Sequence, residues 1–391
     1  MTKTDRLFNK GFLLFTALQT INFIFFYMMF PVVPMYASAI GISVASIGLI
    51  AGAGSFGAFI ARPFAGYSMD HLNKKLCIIA SLIVCAASTA ILPISADPIF
   101  LCVVRTVYGI GFAFSSISMT NCAIDYIPKE KVGEGVGYIG LGISVAAAIG
   151  PAIGLALSRS TGYNILFLVI GGLTMVCCLS ILPIKVKKTE KNPNKEKLSI
   201  GFFINAKSFS YAVFVIPFAF ASGFVSSFIA LLAKERNIEN IALFFTVYAI
   251  AMMILKPMSG KIMDRKGLTA ILIPSFLCAA MGTSLIAVGT SLAVMLAASV
   301  LLAFGQGAGQ PSLQAQCIKV VDSSKKGIAI STYYIGLDIG NMLGNITGSG
   351  IAAATGYAGA FWVCSALLVI AMVIFLILRI RWARNRKRNR I

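Results

Sequence analysis

The chain has 391 residues, of which 58% are hydrophobic and 12% are charged, and its formal net charge is +20. Too few polar side chains are present to cover a water-soluble globule of this length, so the composition excludes an ordinary soluble protein and predicts an integral membrane protein. The basic excess also raises nucleic-acid binding as an alternative, but the positions of the basic residues argue for a membrane surface instead.

Apolar segments long enough to cross a hydrocarbon core of about 30 Å follow one another along the whole chain, with short gaps between them. We predict twelve transmembrane helices, which lie near residues 12–36, 43–65, 76–95, 98–120, 135–157, 163–184, 209–232, 240–260, 268–289, 291–315, 328–353 and 358–379. The first apolar stretch is too long for a cleavable signal and is predicted to be an integral helix.

The twelve segments divide at a Lys-rich stretch, which predicts an all-α membrane protein with two six-helix bundles. The predicted units are an N-terminal bundle at 1–184, a cytoplasmic linker at 185–207, a C-terminal bundle at 208–380 and a basic tail at 381–391. With both termini in the cytoplasm, almost every Lys and Arg lies on the inner side, which is the positive-inside pattern. The exceptions, expected in outer loops, are Arg159, Lys234 and Arg236. We therefore expect the tail to be attracted to anionic lipid headgroups, with no nucleic acid as a partner.

One short segment is repeated at half the chain length. The segment from Arg62 to Asp70 recurs from Lys256 to Asp264, at an offset of 264 − 70 = 194, with Pro, Gly and Asp at matching positions. Thr-Gly-Tyr at 161–163 likewise recurs at 355–357. Duplicated halves with a cavity between them at the membrane midplane are typical of secondary transporters.

The repeated segment resembles the cytoplasmic loop motif of the major facilitator superfamily, and within it of the twelve-helix drug:proton antiporters. The residues that carry this resemblance are Gly66, Asp70, Lys74 and Lys75 in the first copy, and Gly260, Asp264 and Arg265 in the second. The only histidine, His71, replaces an Arg of the motif. The resemblance implies a cytoplasmic latch that holds the halves together, and the alternative is that the two Asp residues only cap helices.

Two further segments resemble motifs of the same family. Arg105 in the fourth span lies where the family has an Arg that assists proton transfer or holds anionic groups; the alternative is a structural Arg bonded to backbone carbonyls. The fifth span resembles the antiporter motif at Gly137, Gly150, Pro151 and Gly154, with Ala146 and Leu155 departing from it. The resemblance implies a hinge, and the alternative is dense helix packing without a directional role.

Asp338 is the only one of the thirteen acidic residues that lies well inside a predicted span. On a helix it shares a polar face with Asn341 and Asn345, at i, i+3 and i+7. A largely different face of the same helix carries glycines that suit helix packing, which are Gly336, Gly340, Gly344 and Gly348. Burial disfavours the charged form of a carboxyl group, so Asp338 is the predicted proton-coupling residue, together with Arg105. The alternative is a hydrogen-bonded acid that only organises the interface between the halves.

The first, fourth, seventh and tenth helices line the substrate cavity in this family, so the resemblance implies that their polar and aromatic residues do so here. The two Asn residues of the eleventh span are predicted to join them. Together these residues are Gln19, Asn22, Phe26, Arg105, Tyr108, Phe112, Tyr211, Phe218, Gln306, Gln310, Asn341 and Asn345.

The predicted function is proton-coupled, multidrug-type efflux of small organic molecules by alternating access, in a multi-pass protein of a bacterial-type cytoplasmic membrane. A dedicated exporter of one metabolite, such as a sugar, an amino-acid conjugate or a metal chelator, is the alternative. An enzyme is disfavoured because no paired acids, nucleophile constellation or metal ligands occur at membrane depth. The expected partners are a small-molecule substrate and protons; we expect a monomer with no catalytic residues, no cofactor and no bound metal.

Overall fold

The computed structural model describes residues 7–128, 132–184, 186, 205–321 and 326–388, and the regular elements among them are helices. They are α1 (Lys10–Ala39), α2 (Val44–His71), α3 (Lys74–Ala90), a 3-10 turn (Leu92–Ile94), α4 (Pro98–Ile124), α5 (Val132–Thr161), α6 (Tyr163–Ile181), α7 (Ala206–Ala212), α8 (Val215–Glu235), α9 (Ala242–Lys266), α10 (Leu268–Val288), α11 (Leu292–Lys319) and α12 (Lys326–Arg388). The predicted all-α class is confirmed.

Ten of the described helices are long and apolar enough to cross a membrane. The apolar part of α9, Ala242–Leu255, is shorter. The eleventh and twelfth predicted spans both fall on α12, whose helical backbone is interrupted at Gly356. The chain is therefore a multi-pass membrane protein, whereas the total of twelve crossings remains a prediction.

Short polar side chains fix the starts of several helices. Asn9 caps α1 by accepting a hydrogen bond from the backbone N–H of Phe12 at 2.9 Å. Asp97 caps α4 in the same way, through the N–H of Phe100 at 2.8 Å, and Pro98 occupies the first turn, where its missing N–H costs nothing. These caps satisfy backbone donors that a helix end leaves without a partner.

The seventh predicted span, 209–232, is wrong at its beginning, because the chain breaks after Ala212 and α8 starts at Val215. Pro217 explains the break. Its ring clashes with the carbonyl four residues earlier, that of Val213, and it has no N–H to donate. Phe214 and Ile216 use the tighter i to i−3 pattern instead, because their N–H groups donate to the carbonyls of Tyr211 at 3.0 Å and of Val213 at 3.2 Å.

The repeated Thr-Gly-Tyr segments adopt the same conformation. Gly162 and Gly356 have φ angles of +78° and +75°, a left-handed conformation that favours glycine. In each copy the preceding Thr donates its hydroxyl hydrogen to a carbonyl four residues earlier, at 2.9 Å. The sequence repeat is thus also a structural repeat at this position.

The chain divides into two compact units, Met1–Ser199 with Ser226–Leu231, and Ile200–Val225 with Leu232–Ile391. In the first unit α2 packs on α4, α1 packs on α5, and α3 lies against α4 and α6. Large apolar side chains of α1, α3, α4 and α6 form one core cluster at the end of this unit where α1 begins; it includes Phe12, Phe15, Leu82, Met119 and Ile181.

In the second unit α12 approaches the backbone of α7 and α8 through a row of glycines four residues apart. A methyl group on Gly340 would lie 2.6 Å from the Ile216 carbonyl oxygen, and one on Gly344 would lie 2.2 Å from that of Phe220. Gly336 and Gly348 face the same two helices at similarly short range. Small residues at this spacing let two backbones pack directly against each other, as the sequence predicted for this face.

Arg236, which directly follows α8, binds the end of α10 in the same unit. Its guanidinium donates to the backbone carbonyls of Ile286, Ala287 and Gly289. The last carbonyls of a helix have no partner within the helix, and a cation there also interacts favourably with the helix dipole. This side chain therefore fastens the ends of two helices together.

Candidate substrate and coupling sites

Arg105 lies on α4 where this helix packs against α2, and only 5% of the residue is exposed. Its Nε and Nη1 atoms are buried without a hydrogen-bond partner among the described residues. A methyl group on Gly54 of α2 would lie 2.8 Å from its Nη2. In the structural alternative, backbone carbonyls accept the hydrogen bonds of the Arg. The described part of the chain shows no such acceptor for Nε or Nη1, and a buried guanidinium without a counter-ion is costly.

An aromatic cluster continues from Arg105. The Cζ atom of Arg105 lies 5.1 Å from the centroid of the Tyr108 ring, a cation–π distance. The Phe26 ring of α1 is parallel to the Tyr108 ring, with centroids 6.5 Å apart, and stacks on Phe112 at 3.8 Å. Three predicted cavity aromatics and the predicted Arg are therefore brought together in the first unit.

The predicted amides Gln19 and Asn22 are buried along α1 and face α4. Gln19 donates through Nε2 to the Ser116 carbonyl at 3.1 Å and to the Thr120 hydroxyl at 2.8 Å. Asn22 donates through Nδ2 to the Ser115 hydroxyl at 3.0 Å. No group in the described part of the chain donates a hydrogen bond to the buried Oε1 atom of Gln19, so this oxygen is a free acceptor between α1 and α4.

Asp338 is buried on α12, with 5% of the residue exposed, and it interacts with neighbouring groups. Asn345 is fully buried and donates through Nδ2 to the Asn341 carbonyl at 2.8 Å. Asn341 itself faces α8, since a methyl group on Gly223 would lie 3.1 Å from its Oδ1. The three polar residues thus lie on α12 as predicted, with Asn341 in the contact with α8.

In the second unit one predicted cavity residue has a partner that the sequence did not reveal. The Tyr248 hydroxyl on α9 donates to Oε1 of Gln306 on α11 at 2.6 Å. Gln310, one turn further along α11, is half-buried. Tyr248 follows two other aromatic residues, Phe244 and Phe245, in an apolar helix, so only the packing of α9 on α11 identifies it as the partner of Gln306.

The remaining two predicted cavity residues lie near the start of the second unit. Phe218 of α8 is fully buried and stacks on Phe276 of α10, with centroids 4.4 Å apart. A methyl group on Gly309 would lie 2.7 Å from its ring. Tyr211 is half-buried on α7. Phe218 is therefore a core residue within this unit, in contrast to Tyr211.

Two residues of the predicted latch make contacts within the first unit. Lys74 forms a salt bridge with Asp125, with Nζ and Oδ2 2.5 Å apart, which ties the start of α3 to the end of α4. Lys75 donates to the Leu182 carbonyl beyond α6 at 2.6 Å. No described heavy atom lies within 4 Å of a methyl group placed on Gly66, and Arg265 is exposed.

The side chains of Asp70 and Asp264, and Gly260, lie outside the part of the chain whose side chains are described.

The predicted hinge residues lie on α5, against α1. Methyl groups on Gly150 and Gly154 would lie 2.9 Å and 3.1 Å from the carbonyl oxygens of Ile24 and Met28. Pro151 is buried inside the helix between them. Gly137 lies outside the residues whose burial is described. The close packing is present, and hinge motion remains a prediction.

The apolar helices and the polar side chains buried among them define a multi-pass membrane transporter. A family model described as Major Facilitator Superfamily matches residues 15–239 and 211–390. The chain belongs to this superfamily, whose members are transporters and not enzymes.

Two curated relatives and one solved structure illustrate the similarity. The chain is 22% identical over 360 residues to the staphylopine export protein of Staphylococcus aureus, covering 87% of this chain and 89% of that one. It is 24% identical over 364 residues to multidrug resistance protein MdtG of Citrobacter koseri, covering 88% of each. The crystal structure of a bacterial homolog of the human lysosomal transporter Spinster superposes with a TM-score of 0.77 at 17% identity, covering 94% of this chain and 96% of that one, which supports the fold alone.

Proposed function

We propose that the protein is a proton-coupled exporter of small organic molecules that works by alternating access. The observation that carries the proposal is Asp338, a carboxyl group 5% exposed on a membrane helix. Ionisable groups inside membrane helices mark ion pathways and proton relays, because their burial has to be offset by function. Export is supported by the similarity to the staphylopine export protein, and a multidrug type by the similarity to the multidrug resistance protein MdtG.

The coupling follows from the chemistry of a buried acid. A carboxyl group is neutral when water is excluded and loses its proton when water or a cation reaches it. A proton that binds at Asp338 on one side of the membrane and leaves on the other is exchanged for substrate. Arg105 is the second charged group of the proposed cycle and takes part in substrate binding.

The proposal includes a topology. Twelve crossings follow from the twelve apolar segments, and cytoplasmic termini follow from the excess of Lys and Arg in alternate loops, in a bacterial-type cytoplasmic membrane. Asp70 and Asp264 act in the latch, Gly150 and Gly154 in the hinge, and the protein functions as a monomer with anionic lipid around its basic ends.

A dedicated metabolite exporter is the second candidate, and Arg105 favours it. A lipophilic cation gains nothing from a buried guanidinium whose Nε and Nη1 have no hydrogen-bond partner among the described residues, whereas a metabolite that carries a carboxylate supplies a counter-ion. The similarity to the staphylopine export protein agrees with this candidate.

Transport by the purified protein in liposomes with an imposed pH gradient tests the proposal. The panel contains lipophilic cations together with zwitterionic and anionic metabolites. Accumulation of at least one compound that reverses when the gradient is reversed is the expected result. Accumulation that is indifferent to pH would exclude proton coupling.

A further inference from the structure

We propose that Arg379 of α12 and Lys266 of α9 together bind the phosphate of an anionic membrane lipid. The site lies wholly within the second unit and has Thr269 of α10 at its centre. It is narrower than a general attraction of basic ends to the membrane, because it assigns one headgroup to one place. It also goes beyond the proposed function, since it requires neither proton coupling nor export.

The Arg379 side chain is held in position by α10. Its Nε atom donates a hydrogen bond to the Thr269 hydroxyl, in the first turn of α10, at 2.8 Å. The two helices pack together, and further along the same contact the Ser365 hydroxyl donates to the Ala280 carbonyl at 3.0 Å. Arg379 therefore lies at one end of an extended helix contact. Because its guanidinium is already placed, less conformational freedom is lost when a ligand binds.

The bond to Thr269 leaves the outer edge of the Arg379 guanidinium available. It uses one of the five N–H donors, that of Nε. Among the described residues Nη1 and Nη2 have no hydrogen-bond acceptor, and the residue is exposed. These two nitrogens form a planar fork that matches two oxygens of a phosphate group. The side chain is thus anchored by one atom and presents a phosphate-binding edge with the others.

Two further cations lie beside this fork. Lys266 is the last residue of α9, and three Cα–Cα steps of about 3.8 Å separate it from Thr269, so their Cα atoms are at most roughly 11 Å apart. Arg381 follows Arg379 on α12, and both Lys266 and Arg381 are exposed. A long Lys side chain and the Arg379 guanidinium can therefore meet at one phosphate.

The helices that form the site supply no acid to neutralise these cations. The sequence has no Asp or Glu from residue 265 to 321 or from residue 339 to 391. The adjacent acid along the chain is Asp264, whose side chain lies outside the described part. No ion pair of Arg379, Lys266 or Arg381 is found within the ranges that the structure describes. The surface thus has the charge that an anionic headgroup complements.

The position of the cations at the end of apolar helices favours a lipid over a soluble anion. Exposed apolar side chains lead up to the site on both helices: Leu277 and Met281 on α10, and Ile374 and Ile377 on α12. On membrane helices such residues contact acyl chains, while Lys and Arg at the helix ends reach the headgroup level. A lipid therefore gains contacts for its chains and its phosphate at once. A soluble phosphate gains only the second.

The test compares three probes with the full-length protein in neutral detergent. They are phosphatidylglycerol, phosphatidylcholine with the same acyl chains, and glycerol 1-phosphate, which has no chains. Native mass spectrometry measures lipid binding, and thermal unfolding measures stabilisation by all three. Phosphatidylglycerol is expected to bind about fivefold more tightly than phosphatidylcholine and to raise the unfolding temperature, whereas glycerol 1-phosphate does not. Equal binding of the two lipids, or equal stabilisation by glycerol 1-phosphate, would overturn the inference.

A pair of variants with the same charge change locates the headgroup. Arg379→Gln is expected to remove most of the preference for phosphatidylglycerol, because the fork is lost. Lys207→Gln is the matched control, since Lys207 is an exposed cation at the start of α7 in the same unit. This control should keep the full preference. Equal losses in the two variants would indicate general attraction and contradict the assigned site.

Thr269→Val separates a built site from surface charge without altering any charge. The variant removes the acceptor that holds Arg379, so the preference for phosphatidylglycerol is expected to fall about twofold or more. General attraction predicts no change, and an unchanged preference in Thr269→Val would overturn the inference. If Arg379→Gln fails to fold, Thr269→Val and Lys266→Gln decide, because both are expected to weaken the preference.

The proposed function and this inference fail in different experiments. If a pH gradient drives no compound while the lipid preference depends on Arg379, proton coupling is excluded and the lipid site stands. If proton-coupled export is observed and the two lipids bind equally, the transporter function stands and the lipid site is wrong.

Discussion

Gly54 of α2 faces Arg105 of α4 so closely that a methyl group on Gly54 would meet Nη2 at 2.8 Å. The three described heavy atoms nearest to that methyl position are Nη2, Cζ and Nε of Arg105, at 2.8, 3.2 and 3.6 Å, and all three belong to the flexible end of the side chain. The two residues therefore form a pair in which the smaller one fixes the position of the larger.

Gly54→Ala should displace the guanidinium without changing its charge. We expect the affinity for a transported compound, measured as the KM of transport in liposomes, to weaken about three- to tenfold, since small displacements weaken the hydrogen bonds of a substrate-binding group. The unfolding temperature should change little, because a flexible side chain can move aside. Gly172→Ala in α6 is the matched control, since no described heavy atom lies within 4 Å of its methyl position. Equal affinities of the two variants would contradict the pairing.

The hydrogen bond between Tyr248 and Gln306 should contribute to the stability of the second unit. Tyr248→Phe removes the donor and leaves the buried Oε1 of Gln306 without a partner, at an expected cost of about 1–3 kcal/mol. Replacing both residues, Tyr248→Phe with Gln306→Leu, should recover most of that loss. A double variant as unstable as the sum of the single variants, in thermal unfolding in detergent, would show that the bond has no such role.

The salt bridge between Lys74 and Asp125 should show a measurable coupling, because both side chains are partly shielded from water. In a double-mutant cycle of Lys74→Gln and Asp125→Asn we expect about 1 kcal/mol of interaction energy. The matched cycle uses Lys75→Gln with Asp125→Asn and should give none, since Lys75 donates to the Leu182 carbonyl. Equal coupling in the two cycles would reject the specific pair.

Two glycines of α12 should respond to the same substitution with opposite signs. Gly344→Ala places a methyl group 2.2 Å from the Phe220 carbonyl oxygen and should destabilise the protein by about 1–3 kcal/mol through overpacking. Gly350→Ala meets no described atom within 4 Å and should stabilise the helix by about 0.5–1 kcal/mol. Thermal unfolding of both variants checks the signs, and a destabilised Gly350→Ala would argue against this packing.

Hydropathy and the internal repeat predicted much of the helical architecture. The fourth span was expected at 98–120, and α4 runs from Pro98 to Ile124. The agreement is close because a long apolar run that follows an Asp cap and ends at polar residues is a strong signal for a single helix. The glycine row of α12 was also predicted to be a packing face. The break before α8 was not predicted, since hydropathy averaged over a window of residues does not register the local backbone clash that Pro217 creates.

The candidate sites were predictable in part. Arg105 and Asp338 stand out because a charge inside an apolar helix is costly, wherever its neighbours lie. The partners of a side chain depend on which helices pack together, so neither Tyr248 beside Gln306 nor Gly54 beside Arg105 could be read from the sequence. Arg236 was expected only as an outer-loop cation, because its bonds to the end of α10 require the tertiary fold.

The proton-coupling claim depends on Asp338, and Asp338→Asn tests it with little change in shape. Liposomes containing either protein are loaded with one transported compound, and two rates are compared: uphill transport under an imposed pH gradient, and exchange of labelled for unlabelled compound without a gradient. The account predicts that Asp338→Asn abolishes the uphill transport and retains the exchange, since the asparagine carries no titrating proton. Uphill transport by the variant at the wild-type rate would contradict it.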